Sequence, residues 1–100
     1  MKNYSIEKFD KFFEAVLKLS DIDQARRFFE DVCTIRELEA IDQRLEVARL
    51  LKARKNYLEV SRQTGASTAT ISRVNKCLMY GGGGYDIVLK DSDESEGGKA

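Results

Sequence analysis

Between Tyr57 and Leu78 the chain reads YLEVSRQTGASTATISRVNKCL, and here residue types and spacing support chemistry of a recognisable kind. The stretch divides into a short helix, a tight turn at Gly65 and a second helix capped by Ser67, which is the helix-turn-helix pattern. Such a unit needs a residue tolerant of positive φ at the turn, small side chains where the helices cross, and branched apolar residues facing inward. Gly65 fills the first role, Ser61 and Ala66 the second, and Val60, Ile71 and Val74 the third. What remains for the outward face of the second helix is Thr68, Ala69, Thr70, Ser72, Arg73 and Lys76, all short or basic and none acidic. A face of this kind suits a major groove. Arg73 fits a guanine edge or a phosphate, the Thr and Ala methyls fit thymine methyls, and the hydroxyls reach bases directly or through water. Ser67 and the free amides at that helix start suit a phosphate, as does Arg62 on the preceding helix. Tyr57 and Ser61 complete the candidate nucleic-acid contacts.

The charge distribution agrees with this reading. Lys and Arg balance Asp and Glu over the whole chain, yet from Arg44 to Lys76 eight basic residues face only Glu46 and Glu59, a local net charge of +6. Phosphates need Lys and Arg on one side only, so a segregated charge is what a nucleic-acid face requires. Enzymes are disfavoured. With no His, the Ser-His-Asp and Cys-His triads, His-ligated zinc and the HExxH motif are excluded, and no carboxylates pair in an apolar setting. Cys33 and Cys77 are too few for a Cys-only zinc site or a disulfide scaffold, and both are expected to be reduced cytosolic thiols. No signal peptide or apolar span is evident, so a soluble cytoplasmic protein is expected. The run Gly81 to Gly84 lacks a following Lys-Ser/Thr and opens no obvious helix, which favours a hinge over a phosphate cradle. Arg44 and Arg49 read as solvated charges on a long helix, with a ligand carboxylate as the minority reading for Arg44.

The length suits a single domain over residues 1–90, with the helix-turn-helix at about 57–78 and an acidic tail over 91–100 that has too little to bury and is expected to be disordered. Ile6, Phe9, Phe12, Phe13, Val16 and Leu19 recur at helical spacing, predicting one helix from Ile6 to Leu19 with Ser5 accepting from its first amides. Asp21, with Gln24 three residues on, predicts the cap of a second helix whose apolar side is Ile22, Ala25, Phe28, Phe29 and Val32. All five Phe lie in these two helices, a stripe that suits either one subunit's core or a partner chain. Thr34 and Glu37 have capping-box spacing and open a long third helix with Leu38, Ile41, Leu45, Ala48 and Leu51 on one face, widened by Val47 and Leu50. Asn56 ends that helix and starts the next, with Glu59 at the capping position. The glycines then stop helix formation, and Ile87-Val88-Leu89 reads as either an extended or a helical segment that packs back.

The run Thr64-Gly65-Ala66-Ser67-Thr68-Ala69-Thr70-Ile71-Ser72-Arg73, preceded by the Thr34-capped helix carrying Arg44, resembles the bacterial tryptophan repressor family. It resembles the TrpR-like YerC/YecD branch more closely, over about residues 30–78 and more loosely through the first two helices. The resemblance implies an all-α fold of about five to six helices, in an intertwined homodimer that interlocks through its N-terminal helices. Two reading heads would then meet successive major grooves of a palindromic operator. It also implies a corepressor slot at Thr34, Arg44, Arg73, Val74 and Cys77. Val74 and Cys77 stand where the family's namesake has Gly and Ser, so the slot for an indole is partly filled; no cofactor is expected, and the identity of any small-molecule corepressor is left open, with tryptophan disfavoured. No metal is implied. The Gly run and acidic tail replace the family's last amphipathic helix.

The expected function is a sequence-specific DNA-binding transcription regulator, a repressor. The alternatives are a protein-interaction adaptor that uses the same two-helix head, and a metabolite sensor whose ligand lies beneath the second helix.

Overall fold

The structure, a computed structural model, describes residues 4–90, so the expected disordered tail over 91–100 lies outside the described residues. Every regular element among the described residues is helical. A 3-10 turn at Ile6–Phe9 runs into helix α1 (Asp10–Val16). It is followed by α2 (Ile22–Val32), α3 (Ile35–Lys52), α4 (Tyr57–Thr64), α5 (Thr68–Tyr80) and a further helical stretch, α6, over residues 84–90. The all-α class is thus as expected.

The chain forms two compact units that divide between Arg36 and Glu37. In the N-terminal unit the expected single helix from Ile6 to Leu19 is broken. The Ser5 hydroxyl bonds the Glu7 carboxylate instead of the first amides, and Phe9, at φ −100 and ψ 14, starts α1 without a side-chain cap. Without a cap, and with no residue of the segment buried, little rewards a continuous helix. The second helix begins as its sequence predicts. Asp21 accepts from the Gln24 amide at 2.8 Å, and the Gln24 side chain in turn accepts from the Ser20 amide at 2.8 Å. Phe12, Phe13, Phe28 and Phe29 form one aromatic cluster, with ring centroids 5.2 Å apart for Phe28 and Phe29 and 6.0 Å apart for Phe12 and Phe28. Neither α1 nor α2 contains a buried residue, and Phe12 remains 40% exposed.

All the buried core lies in the C-terminal unit, where Val47, Ala48, Leu50, Val60, Ala66, Ile71, Val74 and Leu89 form one cluster. The face expected along α3 is buried only in its C-terminal half. Val47, Ala48 and Leu50 are enclosed and Leu51 packs against them, whereas Ile41 and Leu45 are exposed. The helix also ends earlier than Asn56. Arg54 and Lys55 donate their amides to the carbonyls of Leu51 and Leu50 at 3.0 and 3.1 Å, a Schellman closure with Arg54 at φ 71. Asn56 then caps only the following helix, accepting from the Glu59 amide at 2.9 Å.

Gly81 closes α5 by donating to the Cys77 carbonyl at 2.9 Å. The expectation that the glycines open no helix and replace the last helix is corrected here, because residues 84–90 are helical. Their packing supplies the reason. Leu89 is buried in the core, Tyr85 packs beside it, and Lys52 holds Asp86 at 2.7 Å, so a short helix of marginal intrinsic stability gains tertiary support.

Candidate nucleic-acid interface

The two-helix head is built from the turn outward. Gly65 sits in the left-handed region at φ 75, and its amide donates to the Ser61 carbonyl at 2.8 Å. A side chain gains nothing there, and only glycine adopts that conformation freely. Three hydrogen bonds from two side chains fix the turn. The Ser61 hydroxyl donates to the Ala66 carbonyl at 2.9 Å, the Thr64 hydroxyl donates to the Val60 carbonyl at 2.8 Å, and Thr64 accepts from the Ala66 amide at 3.1 Å. From α3, the Gln43 amide donates to the Thr64 carbonyl at 3.2 Å and ties the head to the long helix. The Ser61 hydroxyl therefore also belongs to the scaffold of the turn, where it is engaged as a donor. Gln43 and Thr64 carry no local signal for this role, since the partners lie on separate elements.

Inward packing follows the sequence reading. Val60 and Ile71 are fully enclosed and Ala66 is buried where the helices cross. Val74, which is also one of the corepressor-slot positions, is only 1% exposed and belongs to this core.

Outward, Thr68, Ala69, Arg73 and Lys76 are exposed, while Thr70 and Ser72 are half-buried. Ser67 is exposed and caps α5 by accepting from the Thr70 amide at 3.1 Å. Ala69, Ser72, Arg73, Lys76 and Cys77 line one shallow depression, so the structure brings four candidate contacts together with two candidate slot residues, Arg73 belonging to both sets. No acid occurs anywhere in α5.

On α4, Tyr57 is exposed at the first position. Arg62 is exposed but bonds the Glu59 carboxylate, which also receives the Gln63 amide; those two bonds, Gln63 first, hold the Glu59 carboxyl below its usual range. Arg62 is thus a partly neutralised cation. Arg49 is likewise paired, with Glu46 at 2.6 Å, and Lys52 with Asp86. Arg44, Arg54, Lys55, Arg73 and Lys76 have no ion-pair partner among the described residues, so the positive field of the head comes chiefly from these. Arg44 is half-buried on α3, and Thr34 precedes α3 in the N-terminal unit. Cys33 and Cys77 are free thiols. Among the described residues no cluster of His, Cys, Asp or Glu could hold a metal ion, and no helix is long and apolar enough to cross a membrane.

Comparison with known proteins places this architecture. The family model for the Trp repressor protein matches residues 7–93. The uncharacterized protein YerC of Bacillus subtilis is 46% identical over 90 residues, which cover 90% of this chain and 86% of that protein. The crystal structure of a TrpR-like protein from Eubacterium eligens superposes with a TM-score of 0.81 at 49% identity, covering 87% of this chain and 90% of that one. A Staphylococcus aureus structure superposes with a TM-score of 0.82 at 36% identity, covering 91% of this chain and 96% of its own. With the helix-turn-helix in place and the family match spanning nearly the whole described chain, this protein belongs to the Trp repressor family.

Proposed function

We propose that this protein is a dimeric, sequence-specific DNA-binding transcription regulator, acting as a repressor in the cytoplasm. The observation that carries this reading is the head itself, in which a left-handed Gly65 aims an acid-free α5 outward with Arg73 and Lys76 unpaired. Family membership supports a regulatory DNA-binding fold over a catalytic one. The aromatic cluster of α1 and α2 supports a homodimer, because Phe12 and Phe13 are exposed and Phe28 and Phe29 only half-buried, and a partner chain would remove the remaining ring surface from water. On this reading Thr68, Ala69, Thr70, Ser72 and Arg73 face base edges, and Tyr57, Arg62, Ser67 and Lys76 face phosphates. Within the C-terminal unit, Arg44, Arg73 and Cys77 are the candidates for a corepressor site, with Val74 committed to the core.

Selection of bound duplexes from a randomised pool at about 0.15 M salt tests the proposal, because non-specific phosphate attraction is weakened there. Enrichment of a two-fold symmetric sequence is expected. Affinity for partners that does not change between low and high salt would overturn the reading in favour of a protein adaptor.

A further inference from the structure

The end of α3 is closed by two backbone hydrogen bonds, Arg54 to Leu51 and Lys55 to Leu50. Such a closure needs a left-handed residue at its centre and nothing from that residue's side chain, which is why glycine commonly takes the place. Here the place is held by Arg54, the only described non-glycine residue at positive φ. An L-residue adopts that conformation at a cost glycine avoids. No side-chain contact among the described residues offsets it, since the Arg54 side chain is exposed and has no hydrogen-bond or ion-pair partner there. Its position matters. Arg54 stands three residues before α4, and in the helix-turn-helix docking mode the first helix crosses the sugar-phosphate backbone. Lys55 beside it is also exposed and in no ion pair, acting only as a more distant charge on Glu59, the acid of α4, whose carboxylate is bonded by Arg62 and Gln63. Strain that local structure does not reward points to a use outside the chain.

We propose that Arg54 makes a contact to a DNA phosphate, so that the interface extends beyond the helix-turn-helix to the turn that precedes it. The inference rests on the DNA-binding reading above. It also explains why a residue less favourable than glycine occupies the turn: the side chain serves binding while the backbone bears the cost.

The test uses the full chain and a labelled duplex of mixed sequence, with binding followed by anisotropy over a salt series and with thermal melts alongside. Arg54→Gly is expected to melt higher by about 2–8 °C, as relief of a left-handed side chain should in a domain of this size. It is also expected to bind several-fold more weakly at low salt, with the slope of log affinity against log salt shallower by about 1, the effect of losing one phosphate contact. Arg54→Lys, which keeps the charge, should keep the wild-type slope. A wild-type slope in Arg54→Gly, while the unaltered protein binds salt-dependently, overturns the Arg54 contact and leaves the DNA reading intact. Equal losses in Arg54→Lys and Arg54→Gly, or a lower melting temperature in Arg54→Gly, would trace the effect to the turn's own structure and also overturn it. Absence of salt-dependent binding by the unaltered protein would remove the DNA reading itself.

Discussion

Gly65 offers the sharpest test of how the head is built. A Cβ placed there meets nothing within 4 Å, so replacing it with Ala creates no clash. The penalty is wholly conformational. Holding an L-residue at φ 75 costs about 1–2 kcal/mol, and Ala returns about 0.4–1 kcal/mol by restricting the unfolded chain. Gly65→Ala should therefore destabilise the protein by about 1 kcal/mol, equivalent to about 4–8 °C in Tm for a domain of this size. Two neighbouring glycines supply internal controls. A Cβ at Gly81 would lie 2.5 Å from the Cys77 carbonyl oxygen, so Gly81→Ala must displace the end of α5 and should cost at least as much. Gly82 lies outside the left-handed region with open space around it, so Gly82→Ala should be neutral or stabilising by up to about 1 kcal/mol. Urea denaturation followed by helical circular dichroism measures all three as midpoint shifts at constant slope. If Gly65→Ala proved as harmless as Gly82→Ala, the turn would not depend on a left-handed glycine and the account of the head would be wrong.

Ile71→Ala removes a fully enclosed side chain where α5 meets the core, and the urea midpoint should report a loss of about 2–5 kcal/mol. Arg73→Ala is expected to weaken binding to a selected operator by about 1–3 kcal/mol and to relax preference at one base pair; unchanged affinity and preference would remove Arg73 from base readout. The Glu46 carboxyl is held below its ordinary pKa chiefly by its hydrogen bond from Arg49. A depressed folded pKa gives stability that is present above the unfolded carboxyl pKa and lost as pH falls through the folded one. Stability should therefore drop on the acid side, and Glu46→Gln should flatten that limb by no more than about 1 kcal/mol because both partners are over a third exposed.

Much of the head is legible in the sequence because its determinants are local. Asp21, Asn56 and Ser67 each bond an amide three residues ahead, so side-chain type and spacing identify the cap before any tertiary contact forms. Gly65 is equally local, since its left-handed turn joins residues only a few positions apart. The inward set Val60, Ile71 and Val74 follows from helical period once the turn is placed. Other features depend on which elements meet. The periodic face of α3 runs from Leu38 to Leu51, yet only its end beyond Leu45 finds neighbours to bury it. The helix after the glycines is too short to be predicted from propensity and exists because Leu89, Tyr85 and Asp86 find α3 and the core. Gln43 reaches the Thr64 carbonyl across two elements, a pairing that no spacing rule encodes. Arg54 marks the same limit, because its left-handed turn lacks the glycine that would announce it. The sequence by itself determined the caps, the turn and the acid-free face, since hydrogen bonds within a few residues need only the chain's own geometry. Which apolar faces are buried, and which polar groups pair at a distance, was decided by the tertiary structure, where the loss of chain entropy is balanced only after separate helices have met.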